Sequence, residues 1–449
     1  MPDECSSAED DASRLFIAGD LCCATNHRAE PVADGLQERV SAADVSVVNL
    51  EAPVASPKDP IPKSGPTKIS TPDTAARLRD AGVDAVTLAN NHVMDYGWNG
   101  LDATLDACEA EAVATCGAGA DRGEAMAPVR TTVDGTSVAL FSFCEREFGI
   151  AGDDSPGTAW ISHVESRARV AEEADRSDLV VVVAHGGVEY VPFPPPRRQT
   201  QLRAFVDAGA DLVVGHHPHV PQGWEVYHET PIFYSLGNFL FEQPDRTKTD
   251  RGLALDVSVA DGAFTNVELV PTEQADGRVQ ELTPPDVADD FLQYLYRTTD
   301  QIADRESLVA HWQETAVQLF DQRYTDWLRR GTGARLRDQL GSPAQHVSSD
   351  AVWGDGRQDH VLVLLNLFQN ESHRAVIETV LGLKTGDRED QRTPAVREEV
   401  RDLVAHTEDR PLYDGPSRSR ATLRTLVSKL AEYSQTTSDA SSQHGDERA

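Results

Sequence analysis

The stretch DLVVGHHPHV, residues 211–220, sets Gly215, His216, His217, Pro218 and His219 directly behind a run of strand-forming residues. The chain holds only 14 histidines in 449 residues, so three within four positions call for a chemical reason. Groups of the same kind recur at other strand ends: Asp20 after LFIAG, Glu51 after VSVVNL, Asn91 and His92 after AVTLAN, and His185 after LVVVVA. Taken singly, each has a plain reading. An Asp behind a strand is ordinarily a helix cap, a lone His a hydrogen-bonded loop residue, and Asn-Asn-His a turn. Taken in order, Asp20, Glu51, Asn91, His185, His217 and His219 make a carboxylate, imidazole and amide set suited to manganese, iron or zinc. Two dications held close together need about that many donors and an anionic bridge. An Asn among them favours an open catalytic site over a closed structural one, whereas Cys22 and Cys23, just behind Asp20, are not expected to be ligands.

An α/β sheet would position such groups. From Leu15 to about residue 272, short apolar runs alternate with amphipathic stretches. LFIAGD, DVSVVNLE, DAVTLANNH, SVALFSFC, DLVVVVAHGG, DLVVGHHPH and PIFYSLGNF read as strands. PDTAARLRDAG and NGLDATLDACEAE read as helices, and GLALDVSVADGAFTNVELV reads as a hairpin around Asp261-Gly262. Ligands of open α/β sheets collect outside the carboxyl ends of strands, which is where these residues fall.

After about residue 280 the spacing turns helical. A chain of 449 residues exceeds what one core usually supports, so two domains are expected, at residues 14–272 and 285–435. The second reads as a helical accessory domain with no catalytic constellation. Residues 1–13 and 436–449 read as disordered tails.

Acidic residues number 74 against 41 basic ones, a formal net charge of -33 that disfavours nucleic acid and anionic membrane as partners. Only six of the basic residues are lysines: Lys58, Lys63, Lys68, Lys248, Lys384 and Lys429. An acidic, lysine-poor surface points to adaptation to molar salt, where a Debye length of about 3 Å screens self-repulsion; an ordinary acidic cytosolic protein is the alternative. The six cysteines have no C-x-x-C spacing, so neither a disulfide framework nor a thiolate zinc site is indicated. The acidic start MPDECSSAEDDASRLF is unlike a secretory signal and no long apolar run follows, so a cytoplasmic location is expected.

The segments AGDLC, NLEAP, LANNHVMDYG, HGGVEYVPFPPPRRQ, GADLVVGHHPHVPQG and YSLGNF resemble the signature segments of the CapA family of capsule biosynthesis, associated with poly-γ-glutamate synthesis and export. That family is similar to the calcineurin-like metallophosphoesterases. The resemblance spans residues 14–272 and implies a four-layer α/β/β/α sandwich, here with a helical C-terminal extension, and a centre for divalent ions, two in number. By resemblance Asp20 binds one ion, Glu51 stands at the bridging carboxylate and Asn91 binds the second, while His185, His217 and His219 complete the set. His216 either replaces His217 as a ligand or faces the substrate. His92 corresponds to a histidine acting as general acid or transition-state stabiliser, and Asp95 would orient its ring. Within the same segments Asn49, Asn90, Glu189, Tyr190 and Asn238 are expected to contact the substrate. Two departures stand out: Cys22 occupies the position of a usual ligand histidine, and Gly186 and Gly187 follow His185 where many relatives have Trp.

The resemblance implies a metal-dependent hydrolase of a phosphoester or a polyanionic polymer, with an anionic small molecule or polymer as substrate and other capsule-synthesis proteins as partners. The second hypothesis is a non-catalytic subunit that holds the polymer in the same pocket. His92 discriminates between them, because a binding module needs ligands but little use of a proton donor.

Overall fold

The computed structural model describes residues 13–24, 30–54, 59–162, 164–241, 243, 246–331 and 358–408. Cys5, the expected tails apart from Ser13, and residues 332–357 and 409–435 of the expected helical domain lie outside the described residues.

In chain order the strands are β1 (Ser13–Cys22), β2 (Val45–Leu50), β3 (Ala85–Thr87), β4 (Ala114–Cys116), β5 (Ala118–Gly119), β6 (Val129–Val133), β7 (Thr136–Cys144) and β8 (Gly157–Thr158). They continue with β9 (Leu179–His185), β10 (Leu212–His216), β11 (Pro221–Tyr227), β12 (Thr230–Leu236), β13 (Asn238–Phe241), β14 (Arg251–Ala260), β15 (Ala263–Ala275) and β16 (Arg278–Glu281). Among the described residues they form two large mixed sheets and a small two-stranded one, β5-β8. The first runs β16-β15-β14-β1-β2-β3-β4, with β13 also paired to the end of β1; the second runs β11-β12-β10-β9-β7-β6.

Alternation along the strands explains the layers, since successive side chains face opposite sides of a sheet. Phe16, Ala18 and Val48 share one core with Leu36, Val40, Leu78 and Leu101 of the helices Asp34–Ala42, Thr74–Asp80 and Gly97–Ala110. Leu15, Ile17, Val45 and Val47 turn the other way and join the core of the second sheet, with Val181 and Val213. Helices Glu165–Ala174 and Pro196–Val206 add Val170, Leu202 and Phe205 to that core. The result is the expected α/β/β/α layering.

The C-terminal helices continue the same packing. Leu295 and Ile302 of helix Pro285–Ala303 and Trp312 of helix Arg305–Leu319 belong to the second sheet's core, as do Val376 and Leu403 from farther along the chain. Tyr294 donates from its hydroxyl to the carbonyl of Pro221 on β11 at 2.8 Å.

Two expected strands differ in extent. DAVTLANNH is extended only over Ala85–Thr87, because Asn90 Oδ1 accepts the N–H groups of His92 (3.1 Å) and Val93 (2.8 Å) and folds the rest into a turn. PIFYSLGNF divides at Gly237, whose φ of +70° suits glycine; β12 stays in the second sheet while β13 crosses to β1. The hairpin forms as expected, with Asp261 at φ +53° and Gly262 at φ +76°.

Candidate metal centre

Strand register brings the polar groups together. Asp20 lies opposite Asn49 of β2 and Asn238 of β13, and His185 lies opposite His216. Glu51 follows β2, its N–H donating to Leu21 O at 2.8 Å. Beyond β10 the chain turns sharply: His217 and His219 both take left-handed backbone conformations, at φ +96° and +57°. Such conformations cost a non-glycine residue on the order of 1 kcal/mol each and gather at functional sites. The His217 N–H holds the turn by donating to Asp20 Oδ2 at 3.2 Å. Gly215 lets β10 approach its neighbour, since a Cβ there would sit 2.0 Å from Tyr234 O.

Two donor groups result, Glu51 with His185 and His217, and Asp20 with Glu51 and His219; within each, the donor atoms lie within 4.8 Å of one another. Glu51 belongs to both. His185 Nε2 is 3.6 Å and His219 Nε2 3.9 Å from Glu51 Oε1, too far for hydrogen bonds. Donors sharing one ion at about 2.0–2.2 Å stand about this far apart. Both Glu51 carboxylate oxygens and His217 Nδ1 are buried with no hydrogen-bond partner. A buried carboxylate with no donor to accept from is a natural seat for a cation. Asn91 extends the array, its Oδ1 lying 3.1 Å from His185 Nε2.

Burial pushes the Glu51 carboxyl well above the usual carboxylate range, and the charge of Asp20 adds to it. Burial also pulls His185 well below the usual imidazole range and His217 down to about 3. Asp20 goes the other way: burial would raise it, but the His216 hydrogen bond and the nearby imidazoles hold it below the usual range. Neutral imidazoles and an ionised carboxylate are the forms that bind a metal.

His216 stands in neither donor group; its Nδ1 lies 3.0 Å from Asp20 Oδ1. The three asparagines expected at the substrate point their amides inward. Asn49 Nδ2 donates to Asp20 Oδ1 (2.7 Å) and lies 3.2 Å from His185 Nδ1; Asn238 Oδ1 lies 2.9 Å from His219 Nδ1; Asn90 Nδ2 donates to Leu50 O (2.8 Å). Such partners fix ring orientation and tautomer. Glu189 and Tyr190 follow β9, and the Tyr190 N–H donates to Pro218 O at 2.9 Å beside the histidine turn. Cys22 donates weakly to Ile69 O at 3.8 Å, and burial pushes its thiol up to about 12, which makes it a poor ligand.

His92 Nδ1 lies 2.7 Å from Asp95 Oδ2. Burial, with the charge of Lys63, pulls the ring down to about 4, so it is neutral at pH 7. Two lysines that the sequence did not single out complete this corner. The Lys63 side chain, 2 % exposed, binds Asp95 Oδ1 and donates to Asn91 O at 2.9 Å. Lys68 donates its backbone N–H to Asp95 Oδ2 at 2.6 Å, and its ammonium lies 4.9 Å from the Phe241 ring centre. Both sit in the coil IPKSGPTKI, where no periodicity marks a functional position; lysine scarcity was the available signal.

The family described as "Bacterial capsule synthesis protein PGA_cap" matches residues 14–243. The chain is 34% identical over 217 residues to "Capsule biosynthesis protein CapA" of Bacillus anthracis, covering 47% of this chain and 53% of that protein. It is 31% identical over 293 residues to "PGA biosynthesis protein CapA" of Bacillus subtilis strain 168, covering 64% of this chain and 75% of that protein. It thus spans about half the length of the first relative and three quarters of the second. Among solved structures, a phosphatase of Mycoplasma pneumoniae superposes with a TM-score of 0.37 at 12% identity, covering 63% of this chain and 99% of that one. No helix among the described residues is long and apolar enough to cross a membrane.

Proposed function

The chain belongs to the bacterial capsule synthesis protein PGA_cap family, and on that footing we propose that its strand-end centre is a two-ion hydrolase site. The substrate class is a phosphoester or a polyanionic polymer of the kind the PGA biosynthesis relative is named for. The observation that carries this reading is Glu51: buried, without a hydrogen-bond partner, and common to both donor groups. Asp20, Glu51 and His219 would hold one ion, and Glu51, His185 and His217 the other, with Asn91 beside His185. Bound there, manganese, iron or zinc would supply Lewis-acid activation of water and charge compensation for an anionic ester.

The chain's own residues supply the rest. Asn49, His216 and Asn238 orient the ligands. Asp95 holds His92 Nδ1, so in the neutral ring Nε2 carries the lone pair; it would take a proton from the attacking water and pass it to the leaving group. Lys63 fixes Asp95 and the Asn91 carbonyl together, so the proton-handling corner and the metal-facing asparagine move as one piece. Such an array supports catalysis over passive holding of a polymer.

The test is a screen of generic phosphomonoesters, phosphodiesters and poly-γ-glutamate with metal-loaded protein. Turnover is expected, and His92→Ala should lower it by about 10²–10⁴-fold while leaving metal content nearly intact. Loss of metal from His92→Ala would overturn the assigned role. Metal-dependent polymer binding with no turnover of any ester would replace the hydrolase with the polymer-holding subunit.

A further inference from the structure

The family match ends at residue 243, yet three charged residues beyond it close on the centre's edge. Arg246 lays its guanidinium 3.5 Å from the centre of the Tyr190 ring, and Arg323, from the helical region, lies 5.5 Å from it. Glu408, 7 % exposed and just past helix Pro394–Val404, receives both: Arg246 Nη1 at 3.0 Å and Arg323 Nη2 at 2.6 Å. Its neighbour Thr407 donates from Oγ1 to the Tyr190 carbonyl at 3.2 Å. Tyr190 is therefore gripped at the ring by two arginines that Glu408 holds and at the backbone by Thr407. Its own backbone is left-handed, at φ +64°, a conformation that such contacts must hold. The other end of the grip is the metal centre: the Tyr190 ring stacks on His219 at 5.8 Å with planes 26° apart.

We propose that Glu408 is a positioning residue for the metal centre, acting through Arg246, Arg323 and Tyr190 to fix the ring of His219, so that the helical extension sets metal affinity. The inference rests on the two-ion reading above. It gives the helical extension, which lies outside the family match, a task in the site. An outer contact that fixes a ligand ring typically governs about 10–100-fold in metal affinity.

The test is Mn²⁺ titration of chelator-stripped full-length protein, followed calorimetrically well below the melting temperature. Glu408→Gln and Tyr190→Leu are each expected to weaken one of the two sites about tenfold. Because both act through one contact, the double variant should lose no more than the worse single variant, whereas additive losses would overturn the proposal. Unchanged affinity in Glu408→Gln would overturn it too. If that variant does not fold, Thr407→Val removes the grip on the Tyr190 carbonyl with little change of shape, and weakened Mn²⁺ binding is again the supporting result. A wild-type chain that binds no Mn²⁺ would sink the metal reading itself. The His219 ring-proton resonance of the metal-free protein then decides the clamp: a shift in Glu408→Gln supports it, and an unmoved signal overturns it.

Discussion

Glu147 gives the residue scale a pH signature away from the donor groups. Burial pushes its carboxyl up to about 7, Lys63 opposing and the carboxylates of Glu189, Glu145 and Asp95 adding to it. The folded chain then keeps a proton that the unfolded chain releases near 4.5. This group's contribution to stability is full below pH 4.5, falls as pH climbs through about 7, and is flat above. Asn370 Nδ2 donates to Glu147 Oε1 at 3.3 Å, a bond that glutamine retains. Glu147→Gln should therefore unfold at higher urea than wild type at pH 8 and at nearly the same urea at pH 4.5; the opposite ordering would show the carboxylate to be favourably paired. Residues of ligand type were legible in the sequence because a carboxylate or imidazole behind an apolar run is conspicuous. Their orienting partners were not. Asn49, Asn90 and Asn238 sit in the same segments, and only the folded chain shows their amides meeting Asp20, the Leu50 carbonyl and the His219 ring.

Among the elements, the strands were the most legible, because alternation and β-branched runs mark them directly. Ends were less so: local hydrogen bonds cut short the strand after Thr87, and a glycine in the left-handed region split the strand at Gly237. Helical periodicity after residue 280 showed which faces are apolar but not what they meet. Leu295, fully buried in helix Pro285–Ala303, lies in the core of the second sheet. Leu295→Ala should cost about 2–5 kcal/mol, as large-to-small core changes do, and should shift a single cooperative unfolding transition of the intact chain. Two resolved transitions, with only the minor one moved, would contradict a shared core.

The whole molecule carries a net charge of -33, and this was fully legible from composition. At low ionic strength that field opposes both the compact state and the approach of an anionic substrate. At about 1 M salt it is screened to about 3 Å, while contacts at the centre survive. Melting temperature and kcat/KM for an anionic ester are both expected to rise from dilute buffer to molar KCl; a flat or falling melting temperature would remove the adaptation to salt. Composition could not show that two of the six lysines flank the centre, or that the helical extension reaches it, since both depend on tertiary packing. The central claim is that Glu51 is shared by two ions. Titrating chelator-stripped protein with Mn²⁺ or Zn²⁺, with elemental analysis of the product, should find two ions per chain and should find both weakened in Glu51→Gln. A chain that binds no ion, or a Glu51→Gln variant in which one site keeps its wild-type affinity, would contradict it.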